Sequence, residues 1–164
     1  MNKTAEYNIR EYEERDHDRI MSFILSIIES EFADLTDSFS LEDIDNIKLS
    51  YSGDRDKFMV VDLDSQIIGT LGIKEDDEKT ALFRRIFIHP SFRRKGVGTR
   101  LVEKGIHFCK NFGFKTIQFK GPRVMSAAKS LLTKVGFREK MHIPIPGCDL
   151  DLLEYVINNN HKHV

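Results

Sequence analysis

The run Arg93-Arg94-Lys95-Gly96-Val97-Gly98 limits the fold of this chain more than any other segment. It follows a short apolar strand, Ile86 to Ile88, and precedes a helix predicted to start near Thr99. The first N–H groups of a helix have no intrahelical acceptor. A glycine turn that runs straight into a helix therefore presents free donors at the positive end of the helix dipole, an arrangement suited to phosphate. The two glycines let the main chain approach a ligand closely, and three successive cations add charge. Strand, turn and helix in this order imply an α/β chain. A basic turn with two glycines also serves as plain surface structure, so the surrounding sequence has to decide its role.

The chain has 164 residues, 40% of them hydrophobic, which suits one domain with a full core. Residues 1–157 read as that domain and 158–164 as a polar tail, in which His161 and His163 are expected to face solvent rather than bind metal. A net charge of −1 gives no overall bias toward nucleic acid or an anionic membrane. Cys109 and Cys148 are too few for a disulfide scaffold and lack metal-ligand spacing, so no metal is expected. The start has no signal-peptide pattern and no apolar stretch is long enough to cross a membrane, which makes a reducing, cytoplasmic setting the default expectation.

Elements alternate along the chain without an internal repeat. Asn8 to Tyr12 reads as a strand. Asp16 or Asp18 caps a helix whose residues Ile20, Phe23, Ile24, Ile27 and Ile28 recur at helical spacing. A weaker helix is predicted between Leu41 and Leu49. Phe58 to Val61 and Ile67 to Ile73 read as strands joined by a turn over Asp62 to Ser65, and the acidic run Glu75 to Glu78 as a solvated hairpin tip. Leu101, Gly105, Phe108 and Phe112 mark one face of the helix after the glycine turn, with Cys109 in its apolar stripe and Gly113 at its end. A strand from Thr116 to Phe119, a helix over Ala128 to Val135 and strands over Phe137 to Ile143 and Leu150 to Ile157 complete the chain, the last two separated by the rigid turn Pro144 to Gly147.

The segment from Ala81 through Ile86-Phe87-Ile88 to Gly98, followed by Ala128-x-x-Leu-Leu-x-x-x-Gly136-Phe137, resembles the GNAT superfamily of N-acetyltransferases, over about Val60 to Arg138. The resemblance implies an α/β (mixed α+β) domain. Its central sheet would be mixed, largely antiparallel and splayed at the cofactor strand, with about seven strands and about four helices. It implies acetyl-coenzyme A as cosubstrate and a small-molecule or peptide amine as acceptor, with a homodimer through the final strands compatible with the family. Main-chain groups of Ile86, Phe87 and Ile88 would pair with the pantetheine arm, and the Ile86 N–H would act as oxyanion donor to the thioester carbonyl. Arg93, Arg94, Lys95, Gly96, Val97, Gly98 and Thr99 would hold the pyrophosphate.

The acceptor amine must lose a proton before it attacks, and an alkylamine of pKa about 10.4 is only about one part in a few thousand free at pH 7. Many family members carry a glutamate four residues before the oxyanion donor, but Leu82 stands there. Glu31, and after it Glu29, are the next candidate bases, although solvated acids at a helix end are the commoner reading. The tyrosine that often protonates the departing thiolate is replaced by Leu132, which leaves Tyr155 or a water as the acid. Met125 stands where an asparagine often contacts the cofactor.

Charge is divided along the chain. From Ile20 to Ile47 there are acids (Glu29, Glu31, Asp34, Asp37, Glu42, Asp43, Asp45) and no Lys or Arg; from Arg84 to Arg100 there are bases and no acid. The basic segment suits an anionic cofactor. The acidic one suits a cationic acceptor through steering, or is an ordinary solvated surface. Direct acetyl transfer in a ternary complex is the main reading. A non-catalytic acyl-coenzyme A sensor is its rival, and a mononucleotide site is disfavoured because both Gly-Lys-Ser/Thr and Gly-x-Gly-x-x-Gly are missing.

Overall fold

The computed structural model describes residues 6–158, so His161 and His163 and nearly all of the polar tail lie outside the described residues. The strands are β1 (Asn8–Glu11), β2 (Lys57–Leu63), β3 (Gln66–Glu75), β4 (Thr80–Ile88), β5 (Thr116–Pro122), β6 (Arg138–Ile143) and β7 (Leu150–Val156). The helices are α1 (His17–Glu31), α2 (Glu42–Asp45), α3 (Ile47–Ser50), α4 (Val97–Asn111) and α5 (Ser126–Val135). All seven strands join in one open sheet of order β1-β2-β3-β4-β5-β7-β6. This is the GNAT-type arrangement expected from the sequence, with five helices rather than about four.

Local chemistry explains the departures from the expected elements. The helix expected over Leu41 to Leu49 is two short helices, because Asn46 leaves helical geometry (φ −141°, ψ 71°) and its side chain accepts from the Leu49 N–H to start the second. The β2–β3 hairpin turns on Asp64 and Ser65, with φ of 49° and 68°, the two-residue turn whose twist matches paired strands. The helix expected near Thr99 begins at Val97, and the short strand Ile86 to Ile88 is the end of a longer one. Phe58 to Val61 are buried in sequence because this part of β2 is covered on both faces. A Cβ on Gly105 of α4 would meet Leu71 and Phe83, whereas one on Gly72 would meet Tyr51, which follows α3. Leu71 and Gly72 are adjacent on β3 and point oppositely, so α4 and α3 cover opposite faces.

Two irregularities shape the sheet centre. Between β3 and β4, Thr70 faces Phe87 and Gly72 faces Arg84, so Leu71 alone is opposed by Arg85 and Ile86. This is a β-bulge, and Arg85 takes the left-handed conformation (φ 55°) within it. The Thr70 hydroxyl donates to the Arg85 carbonyl at 2.8 Å, satisfying a group that the bulge removes from the ladder. Between β4 and β5, the one parallel pair in this sheet, pairing runs from Thr80–Thr116 to Leu82–Gln118 and stops, although both strands continue. The strands splay there.

At the other end of the sheet, Asp16 is buried and fully engaged. Its oxygens accept from Arg10 at 2.7 and 2.8 Å, from Arg19 at 2.7 Å and from the Glu13 N–H at 2.9 Å. The Arg10 hydrogen bonds hold its carboxyl below the usual carboxylate range against the opposing effect of burial, with help from the Glu13 N–H. Removing one partner of a buried ionic cluster strands the others, so Asp16→Asn is expected to cost ~3 kcal/mol, read as a lowered Tm. The lowered folded pKa means that Asp16 contributes fully above its unfolded value of about 3.9, and that this contribution is lost as pH falls through the folded value. Acid unfolding of Asp16→Asn should therefore be less steep than that of the parent.

Candidate functional site

The basic turn leads into α4 through two left-handed residues and, among the described residues, leaves main-chain N–H groups unpaired. After the short 3₁₀ turn Pro90–Phe92, Arg94 and Gly96 both adopt positive φ, 61° and 85°. The first α4 hydrogen bond runs from the Arg100 N–H to the Gly96 carbonyl at 3.1 Å. Among the described residues, the N–H groups of Arg94 through Thr99 have no main-chain acceptor. The two glycines are required for different reasons. Gly96 supplies a left-handed conformation in open space, while a Cβ on Gly98 would stand 2.8 Å from Leu131 and 3.3 Å from Ile88, where α4 passes close to α5 and β4.

Below the turn lies a cleft of about 430 Å³. Ile86, Phe87 and Ile88 line it on the β4 side, and Arg93, Arg94, Gly96, Gly98 and Thr99 at the end formed by the turn. Two residues expected there sit apart. The Lys95 ammonium lies 5.7 Å from the centre of the Phe92 ring, and Val97 is buried in the core, so these two offer main-chain groups only. The opposite wall comes from α5 through Ser126, Ala127, Ala128 and Ser130, a contribution the sequence reading missed. The small side chains at the start of that helix were its only signal.

Arg93 has a different role from a free cation. Its Nε donates to the Ile88 carbonyl at 3.0 Å, and its terminal nitrogens donate to both oxygens of Glu31 at 2.5 and 2.7 Å. This bidentate pair ties the end of α1 to the end of β4 and to the turn. Glu31 is thereby an ion-pair partner at the rim, and neither it nor Glu29 lines the cleft.

A second cleft, about 270 Å³, opens on the other side of the β4–β5 divergence. It shares Ile86, Phe87 and Met125 with the first, so the two meet at the bulged strand. Arg84, Arg85, Lys120 and Cys148 contribute its polar lining. Arg85 is neutralised: its Nε donates to Asp43 at 3.1 Å, one terminal nitrogen donates to the other Asp43 oxygen at 2.5 Å, and the same nitrogen reaches the Ser40 carbonyl. The Tyr51 hydroxyl donates to the same carboxylate at 2.7 Å. Burial would raise the Asp43 carboxyl, but the Arg85 and Tyr51 hydrogen bonds outweigh it and hold the group below the usual range. Burial, reinforced by Asp43, pushes the Tyr51 phenol well above its ordinary value.

Among the described residues, no carboxylate lines either cleft. The acidic segment spends Glu31 on Arg93 and Asp43 on Arg85, and Asp34 and Asp37 are exposed on the 3₁₀ turn Ala33–Ser38. Tyr155 pairs with Ile117 near the closed end of the β4–β5 pair, its ring 5.3 Å from that of Phe137, and lines neither cleft. Leu132 is fully buried. Burial pushes the Cys109 thiol up to about 12, which leaves it inert.

A family model described as the Acetyltransferase (GNAT) family matches residues 22–137. The chain belongs to that family. It is 29% identical over 113 residues to "Probable N-acetyltransferase camello" of Xenopus tropicalis, covering 67% of this chain and 52% of that protein. The counterpart in Xenopus laevis is 29% identical over 109 residues, covering 64% and 49%. The chain thus spans about half the length of the curated relatives it matches. Its fold superposes on a GNAT-family acetyltransferase from Staphylococcus aureus Mu50 with TM-score 0.83 at 24% identity, covering 93% of this chain and 100% of that one. It also superposes on yncA of Salmonella typhimurium, solved with its cofactor acetyl-CoA, with TM-score 0.74 at 17% identity, covering 94% and 96%. No helix among the described residues is long and apolar enough to cross a membrane.

Full burial of Leu132 yields a direct expectation. Leu132→Tyr should overpack the α5 face and cost ~1 to 3 kcal/mol in thermal unfolding. An undiminished Tm would mean that the ring leaves the core.

Proposed function

We propose that this chain is an acetyl-CoA-dependent N-acetyltransferase that acylates a primary amine by direct attack with both substrates bound. One observation carries the reading: two clefts, one ending in an anion cradle, meet where β4 leaves β5 at Ile86, Phe87 and Met125. The residues present fit acetyl-CoA. Free N–H groups from Arg94 to Thr99 and the Arg94 side chain suit a pyrophosphate, and the unpaired edge of β4 suits an amide-bearing arm. The small residues that open α5 leave room beside it. The cofactor of the Salmonella structure supports the same choice.

Bound there, acetyl-CoA supplies an activated acyl group. The protein's part is then to align, polarise and keep water out. The Ile86 main-chain N–H is assigned as the oxyanion donor, because it lies where the two clefts join. Neither cleft offers a carboxylate or histidine as base, so deprotonation falls to water or to the fraction of acceptor that arrives neutral. With Glu31 held by Arg93, Glu31→Gln is expected to leave the acidic limb of the pH profile in place.

Coenzyme A release with a panel of primary amines tests the activity. Turnover should appear with some of them, and kcat/KM should keep rising with pH toward the acceptor's own pKa instead of levelling near 7. Acetyl-CoA binding without release for any amine would point to the sensor reading. Arg94→Glu, which sets a carboxylate at an exposed position of the turn, should sharply weaken acetyl-CoA binding in calorimetry while circular dichroism stays native; wild-type affinity would refute the placement. Cys148→Ser should retain turnover, as direct attack requires, and its loss would indicate an acyl-enzyme route.

A further inference from the structure

We infer that the acceptor is a small amine that also bears a carboxylate, held in the second cleft by Arg84 and Lys120. This deepens the acetyltransferase reading and rests on it. The argument starts from register. Leu82 and Gln118 are the last paired residues of the parallel strands β4 and β5. Two residues further on each strand stand Arg84 and Lys120, on the face of Leu82 and Gln118 because side chains alternate. Two cations thus face one another across the splay, and both line the second cleft. Like charges placed opposite on neighbouring strands are unfavourable unless something lies between them.

The acids nearby do not serve. Asp43 is engaged by Arg85 and Tyr51, and Arg84 acts on it only at a distance, through its charge. Glu154, across from Gln118 on β7, accepts from Gln118 and from Lys140, both at 3.0 Å. Among the described residues, neither Arg84 nor Lys120 has an ion-pair partner, and the cleft they share has no carboxylate in its lining. A planar guanidinium beside an ammonium suits a carboxylate. Beside Ser40, Cys148 and the neutralised Arg85, the wall also offers the apolar side chains Phe39, Phe119, Met125 and Leu150. An α-amino acid with an apolar side chain satisfies all three requirements: its carboxylate meets the cations, its side chain the apolar wall, and its amine points toward Ile86, where the clefts join.

The test compares phenylalanine with phenylalaninamide as acceptors in the coenzyme A release assay. The amide's amine is the less basic, so a preference for the acid has to come from the anion. The less basic amide also holds more free amine at neutral pH, so each kcat/KM is divided by its free-amine fraction; the expected preference for the acid is then about tenfold or more, equivalent to about 1.4 kcal/mol. Arg84→Gln should remove it by raising KM for the acid alone, Arg84→Lys should restore part of it, and Lys120→Gln, at an exposed position, should weaken it without risk to folding. A readout free of turnover uses calorimetry of N-acetylphenylalanine and N-acetylphenylalaninamide with the coenzyme A-saturated protein. The acid should bind more tightly, and Arg84→Gln should erase the difference. Tighter binding of the acid with no turnover of any amine would uphold the anion site and refute the acetyltransferase reading. Turnover of acid and amide alike after each is divided by its free-amine fraction, or equal loss of both in Arg84→Gln, would overturn the anion site and leave that reading standing.

Discussion

The separation of β4 from β5 is the constraint on which the rest of the structure depends. A parallel pair that stops at Leu82 and Gln118 leaves a row of main-chain donors and acceptors on β4 without a strand to meet them. Such groups are costly when left unmatched in a buried setting, so they favour a ligand with amide-like groups of its own. The bulge at Arg85 and Ile86 is the local cause. It bends β4 and raises its twist just beyond the end of its pairing to β5, and Thr70 closes it by donating to the Arg85 carbonyl that the bulge takes out of the ladder.

Holding a strand in that position requires ties on both sides, and two ion pairs supply them. Arg85, turned by its left-handed backbone, draws Asp43 and hence α2 against the bulge. Arg93, beyond the end of the strand, draws Glu31 and hence α1 against the turn. The Arg85–Asp43 pair is part-buried and the Arg93–Glu31 pair lies nearer the surface; both are multiply hydrogen-bonded, which gives them more geometric definition than a single-contact exposed pair. They also decide which charges remain available. With Arg85 and Arg93 neutralised, the first cleft keeps Arg94, Lys134 and the free main-chain N–H groups, and the second keeps Arg84 and Lys120.

This division bears on catalysis. A site whose key groups are N–H donors on a strand and a helix start depends little on which side chains occupy those positions, so Leu82, Leu132 and Met125 can stand where the family often has polar residues without disturbing the cradle. The cost falls on proton transfer. Leu132 is packed in the core and Tyr155 lies at the closed end of the sheet, so the clefts carry few titratable groups and the proposed reaction would lean on positioning and electrostatics.

The sequence by itself determined most of the elements and the glycine turn with its free N–H groups. Apolar residues at a period of 3.6 or 2 report which face is buried, and a glycine turn before a helix reports free N–H groups, both through interactions between near neighbours. Ile20 to Ile28, the hairpin at Asp64 and the run from Arg93 to Gly98 were legible for that reason. Tertiary structure alone decided what the charges do. Arg93 meets Glu31 across 62 positions and Arg85 meets Asp43 across 42, so a local block of acids that reads as a wall for a cation is consumed in clamps. The same holds for Arg84 and Lys120. Their opposition depends on the register of two strands distant in sequence, and register is set by packing of the whole sheet, which no local pattern in the chain encodes.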